Sequence, residues 1–306
     1  MDRRMTMNME SILSKSKAFA KSIIFKNPIL FSIFLNRRFG VERKLIAGDH
    51  NTDNQHPSII HFSLNKAATQ FTKKILKKAA AENDIIPVHI NEYAFYTEFP
   101  YLTGMSKEDM TKYAHIFKPK GYLYSAFGGY VPGIKDLEKY KVVLMVRDPR
   151  DILVSWYYSI AFSHSIPPLT SNRHQEYIDH RASALKMTID EHVISQSDRV
   201  FNILHRYKTS LCDSYPEIHL TSYEEMTSDF EGWLTALLNA CELEISDQVF
   251  SELIEYNKSV QPQGENKFRH IRKGEPGDYA DKLQPDTIEY LNQKFAPIFE
   301  AFGDVF

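Results

Sequence analysis

The chain has 306 residues, 43% hydrophobic and 25% charged, enough for one large domain with a substantial core. Its formal charge of −2 gives no general attraction for nucleic acid, so a phosphate site would need locally concentrated basic residues. The two cysteines, Cys212 and Cys241, exclude a disulfide framework and a cysteine metal cluster, and a cytoplasmic location is expected.

Residues 1–55 read as a basic N-terminal extension, helical or partly ordered, ahead of a domain at 56–306. Over the first 45 or so residues, Arg3, Arg4, Lys15, Lys17, Lys21, Lys26, Arg37, Arg38, Arg43 and Lys44 face only Asp2, Glu10 and Glu42. Within the extension, the apolar run Pro28–Leu35 is too short to span a bilayer. It reads as a helix packed on the domain; peripheral contact with an anionic membrane surface is the alternative. No small-residue cleavage site follows it, so a signal peptide fits poorly.

Ser58–Phe62 reads as a strand and Ser63–Gln70 as a turn. A helix then runs from Phe71 to Ala80, with Phe71, Ile75, Leu76 and Ala79 on one apolar face. Strand, small-residue turn with a lysine, then helix is the layout of a phosphate cradle, because backbone N–H groups and the helix dipole favour an anion there. The G-x-x-x-x-G-K-[ST] loop of nucleoside triphosphatases is absent, so the cradle need not serve ATP and magnesium. Ile85–Ile90 is a second strand. The aromatic stretch Tyr93–Tyr101 reads either as packing or as the lining of an acceptor pocket.

Tyr140–Val146 is a near-continuous apolar run, as expected of a parallel strand covered on both faces. It leads into Arg147, a turn, and a helix capped by Asp148 or Asp151 that carries Ser155. The planar guanidinium and the hydroxyl suit one shared phosphate. Farther on, Glu217–Thr221 is a strand and Phe230–Leu243 an amphipathic helix. The alternation predicts an α/β, P-loop-like three-layer fold: a central parallel sheet flanked by helices, with ligands beyond the strands' carboxyl ends. His164, His174 and His180 share a segment without zinc spacing. His61 reads as a packed core histidine.

Four segments, in order, resemble motifs of the sulfotransferases that use 3′-phosphoadenosine 5′-phosphosulfate (PAPS). Asn65-Lys66-Ala67-Ala68-Thr69-Gln70-Phe71 is similar to the P-K-x-G-T-T-W loop around the 5′-phosphosulfate. Arg147-Asp148-Pro149-Arg150-Asp151 with Ser155 matches R-[DN]-P-[RK]-D-x-x-x-S, which holds the 3′-phosphate. Tyr223-Glu224-Glu225-Met226 resembles Y-E-D-[ML] beside the adenine, and Arg272–Tyr279 resembles R-K-G-x-x-G-D-W, which closes over the 3′-phosphate. The resemblance covers roughly 57–306.

It implies sulfuryl transfer from PAPS to a hydroxyl or amine, in line, with no metal required. Lys66 would stabilise charge on the bridging oxygen. Ala67, Ala68, Thr69 and Gln70 would hold the 5′ end, Arg147, Ser155, Arg272, Lys273 and Gly274 the 3′-phosphate, and Phe71 and Tyr223 the adenine. Where the family has glycine the chain has Ala68, at a turn expected to need positive φ. Phe71 and Tyr279 stand where the family has tryptophan. Ser125 falls near the histidine of the K-T-H-x-P stretch and is no base unaided, which leaves Glu92 and His164 as the base candidates. Trp156–Ile160 and Ala161–Arg173 are expected to face the acceptor, a small-molecule, glycan or lipid hydroxyl. The alternatives are a non-catalytic member that binds PAPS or its product PAP, or an ATP-dependent P-loop kinase.

Overall fold

The structure, a computed structural model, describes residues 27–306 apart from 168, 170, 172, 263 and 269–271. The extension's basic residues up to Lys26 therefore lie outside the described residues. Five parallel strands, β1 (Ile59–Ser63), β2 (Ile86–Val88), β3 (Tyr122–Phe127), β4 (Lys141–Val146) and β5 (His219–Ser222), form one sheet in the order β2-β3-β1-β4-β5. β1 lies between β3 and β4, with Phe62 opposite Leu144 and Ser63 opposite Met145. Strand β3, which carries Ser125, is the element whose sequence pattern did not announce a strand.

Helices cover both faces. In chain order they are α1 (Pro28–Arg38), α2 (Gly40–Ala47), α3 (Thr69–Glu82), α4 (Ile90–Tyr96), α5 (Pro149–Tyr158), α6 (His174–Ala184), α7 (Ile189–Tyr207), α8 (Tyr223–Ser228), α9 (Phe230–Ala240), α10 (Asp247–Val260), α11 (Tyr279–Lys282) and α12 (Pro285–Phe302). A further helical turn, Lys107–Met110, precedes β3. Successive strand side chains point to opposite faces, which divides the core in two. Ile59, Leu123, Val143 and Met145 pack under α3 and α9 with Ile75, Leu76, Trp233 and Leu237. Ile60, Phe62, Tyr124, Leu144 and Val146 pack under α5, α7 and α12 with Ile152, Val200, Leu204 and Phe295. Each such buried side chain contributes about 1.5–3 kcal/mol.

The second strand is shorter than its apolar run: Ile90 begins α4 instead of ending β2. The apolar run of the extension is α1, capped by Asn27, whose side chain accepts from the Ile29 and Leu30 N–H groups. Phe31 and Phe39 bury against the α4 aromatics Tyr93, Phe95 and Tyr96, while Ile29, Leu30 and Ile33 stay exposed. Among the described residues no helix is long and apolar enough to cross a membrane. His61 is fully buried, its Nδ1 2.9 Å from the Ser125 Oγ, and burial pushes its pKa down to about 3.

Candidate functional site

β1 and β4 are neighbours, so the loops after their carboxyl ends, which carry Lys66 and Arg147, open into one crevice. The turn after β1 closes through the Ala67 N–H, which donates to the Leu64 carbonyl at 3.0 Å. Thr69 donates its hydroxyl to the same carbonyl at 3.1 Å and lies 2.9 Å from the Ser63 Oγ. That hydroxyl is thus used inside the loop, and what Thr69 offers outward is its N–H. Lys66 and Ala68 have φ of +81° and +52°. For Ala68 the left-handed conformation costs about 1–2 kcal/mol relative to a right-handed one. Ala68 is the N-cap of α3 and makes no capping side-chain bond; the Phe71 N–H donates to the Ala68 carbonyl at 2.9 Å, which leaves the Thr69 and Gln70 N–H groups for an external anion.

The Lys66 ammonium reaches across to α5's continuation and donates to the Ser159 Oγ at 2.6 Å. Burial, helped by the positive charge of Arg147, lowers its pKa to about 8. Ser159 follows α5 in a π-helical stretch, Ser159–Ser163. It falls inside the segment Trp156–Ile160 expected to face the acceptor, four residues after Ser155 and on the same side of a helix.

Arg147 is buried, and its guanidinium is fixed on three sides. One Nη donates to the Lys66 carbonyl at 3.1 Å, the other to Asp151 Oδ2 at 3.1 Å, and the plane lies 4.0 Å over the Tyr223 ring. The Nε–H is buried with no acceptor among the described residues. Asp151 also accepts from the Gly277 N–H at 2.8 Å and the Tyr279 N–H at 3.0 Å, tying the C-terminal motif to α5. Of the two capping candidates, Asp148 is the cap: its side chain accepts from the Arg150 N–H at 2.8 Å. Asp151 instead organises the guanidinium, a role the sequence reading missed. Beneath them Glu224 accepts from the Asp148 N–H at 3.1 Å, and burial pushes its carboxyl up to about 7.

Arg272 ion-pairs with both Glu265 and Asp278 and lies over the Tyr158 ring at 4.3 Å. Lys273 is 3.1 Å from Asp281 and 3.4 Å from Asp278. Gly274 has φ +80°, and a Cβ there would come within 2.8 Å of Pro262, so only glycine fits. Phe71 stacks on Tyr256 with centroids 5.5 Å apart and meets Phe230 edge-on.

All of these elements border one cavity of about 1160 Å³. Lys66, Ala68, Thr69, Gln70, Phe71, Arg147, Ser155, Tyr223, Arg272, Lys273 and Gly274 line it; Ala67 is buried behind the turn. Glu92 and His164 line it too, along with Trp156, Ile160 and Ile166 from the segments expected to face the acceptor. From the aromatic stretch Phe95, Tyr96 and Tyr101 line it, whereas Tyr93 and Phe99 pack on each other at 5.7 Å. Glu92 is held by Arg38 of α1 and by Lys73 of α3 at 3.1 Å. Burial raises its pKa, but these two cations outweigh that and leave it below the usual range. The His164 ring stacks on Tyr177 at 5.3 Å, and its carbonyl accepts from Arg181.

Set beside known proteins, residues 57–304 match the sulfotransferase domain family, and the chain belongs to it. Among solved structures, mouse sulfotransferase SULT7A1 complexed with PAP superposes with a TM-score of 0.52 at 14% identity, over 85% of this chain and 88% of that one. Sulfotransferase STF9 from Mycobacterium avium gives 0.49 at 10% identity, over 88% and 83%. Retinol dehydratase in a complex with retinol and PAP gives 0.47 at 12% identity, over 85% and 86%. No curated protein matches the sequence significantly.

Proposed function

We propose that this chain transfers the sulfuryl group of PAPS to a hydroxyl. The observation that carries the reading is Arg147: its guanidinium is locked at the end of β4 with a buried Nε–H that nothing among the described residues satisfies. A buried donor left without an acceptor is uncommon and calls for one from outside. PAPS offers two anionic groups, one for the uncapped start of α3 and one for Arg147. PAPS itself supplies an activated sulfuryl group with a nucleotide leaving group.

In this reading the chain's own groups position and stabilise. Lys66, the loop amide of Ala68, and Thr69 and Gln70 hold the 5′ end, whereas the Ala67 N–H is spent on the Leu64 carbonyl. Arg147, Ser155, Arg272, Lys273 and Gly274 hold the 3′-phosphate, and Phe71 and Tyr223 border the adenine. Lys66 rests on the Ser159 hydroxyl and moves its ammonium towards negative charge that grows on the leaving oxygen. Such charge-stabilising donors typically contribute about 10²–10³ in rate. For the acceptor's proton we favour Glu92 over His164: its two cations fix the carboxylate in the cavity wall and keep it ionised near neutrality.

Calorimetric titration with 3′,5′-adenosine bisphosphate (PAP), with ADP and AMP as controls, tests the reading in wild type and in Arg147→Ala. The expected result is binding that requires both the 3′-phosphate and Arg147. Equal affinity for ADP would overturn the proposal and reopen the triphosphate alternative.

A further inference from the structure

Of the cavity's cations, most already have partners. Lys66, Arg147, Arg272 and Lys273 belong to the proposed nucleotide end, Lys73 pairs with Glu92, and Arg181 is bonded to the Ile160 and His164 carbonyls. Arg199 and Arg206 remain. Among the described residues neither has a carboxylate within ion-pair distance. Each instead lies over an aromatic face, Arg199 over Trp156 at 4.7 Å and Arg206 over Tyr130 at 5.4 Å. Stacking of this kind leaves the in-plane N–H groups free for a bidentate anion.

Both arginines sit on one side of α7, whose opposite side carries the buried Val193, Val200 and Leu204. Seven residues apart, they are separated by about 10 Å along the helix axis. Between and before them on the same side come Ser195, Gln196 and Asn202, which also line the cavity. Trp156 lies three residues before Ser159, on the same side of the helix as the hydroxyl that holds Lys66, and Tyr130 follows β3, so the stripe begins near Lys66 and runs along the cavity wall.

We infer that this α7 stripe is the acceptor site and that it selects an acidic carbohydrate, with Arg199 and Arg206 gripping carboxylate or ester-sulfate groups and the neutral side chains reading hydroxyls. The inference rests on the sulfuryl-transfer reading and names its acceptor class.

The test titrates hyaluronan fragments, and maltodextrin fragments of equal length, into the protein with and without PAP. Hyaluronan is expected to bind, more weakly as salt rises, and about tenfold more weakly in Arg199→Gln/Arg206→Gln. Maltodextrin should not bind. PAP affinity should be unchanged in that variant, and Arg199→Lys/Arg206→Lys should recover part of the carbohydrate affinity. The inference is overturned by absent hyaluronan binding, by equal binding of maltodextrin, or by a glutamine double variant that binds hyaluronan like wild type. Failure of PAP to bind wild type would count against the nucleotide reading alone, because the carbohydrate titration without PAP is read separately.

Discussion

Asp151→Ala should unfold more of this site than a change at a single carboxylate normally does. The Asp151 side chain is fully buried and serves three donors: the Arg147 guanidinium and the Gly277 and Tyr279 amides. Its removal strands a buried guanidinium and two backbone N–H groups. Breaking a buried ion pair from one side typically costs about 3–5 kcal/mol. Domains are stable by only about 5–15 kcal/mol in total, so the loss is large on that scale. Urea unfolding, followed by the fluorescence of Trp156 and Trp233, measures it. Arg147→Met/Asp151→Leu, which removes both charges, should be less destabilised than the sum of its single changes, with a coupling above about 1 kcal/mol. Hydrogen exchange should speed up at Gly277 and Tyr279 in Asp151→Ala. A loss below about 1 kcal/mol, or additive single changes, would refute the argument that this carboxylate holds the guanidinium and the C-terminal motif together.

Glu224 has a folded pKa raised to about 7 from 4.5, mainly by burial, so the folded state holds its proton more tightly than the unfolded chain does. The resulting instability is absent below pH 4.5 and full above pH 7; Glu224→Gln should match wild type in urea unfolding at pH 4.5 and exceed it by about 1–3 kcal/mol at pH 8, and equal stability at both pH values would refute this. With labelled donor and an acceptor that turns over, Glu92→Gln should lower kcat by about 10²–10⁴ and His164→Ala by less than about tenfold; the reverse order would make His164 the base. Lys66, with its pKa near 8, is partly neutral at pH 8.5, and a bound anion should restore its charge. PAP titrations in buffers of different ionisation enthalpy should therefore show proton uptake at pH 8.5, little at pH 7, and none at pH 8.5 in Lys66→Met.

The sequence made the sheet legible wherever a strand was an apolar run ahead of a turn, as at Ile59–Ser63 and Lys141–Val146. It hid β3, because Tyr122, Tyr124 and Ser125 look like surface chemistry until the two core layers are known. The positive φ expected at Ala68 is present, since the turn requires it whichever residue stands there; the second positive φ, at Lys66, had no compositional mark. Motif spacing brought Lys66 and Arg147 together because adjacent parallel strands end at one level. It could not show that Thr69 turns its hydroxyl inward or that Asp151 serves three donors, because both facts depend on contacts made across more than one element. The α7 stripe escaped notice because a polar helix face looks the same whether it meets solvent or a cavity.

The site's cations differ in how they are held, and that difference separates binding from rate. Arg147, Arg272 and Lys273 are set in place by carboxylates, so in the proposed reading their fields are partly neutralised before a phosphate arrives. Lys66 is held by a hydroxyl alone. Its charge is unopposed by any acid within ion-pair distance among the described residues, so it responds most strongly to new negative charge nearby. Lys66→Met should therefore leave PAP affinity within about tenfold of wild type while lowering kcat by about 10²–10³. Arg147→Met should do the opposite and weaken PAP binding well before it limits the rate at saturating donor. If both variants lost affinity and rate in the same proportion, the carboxylate partners would have no part in dividing the two roles.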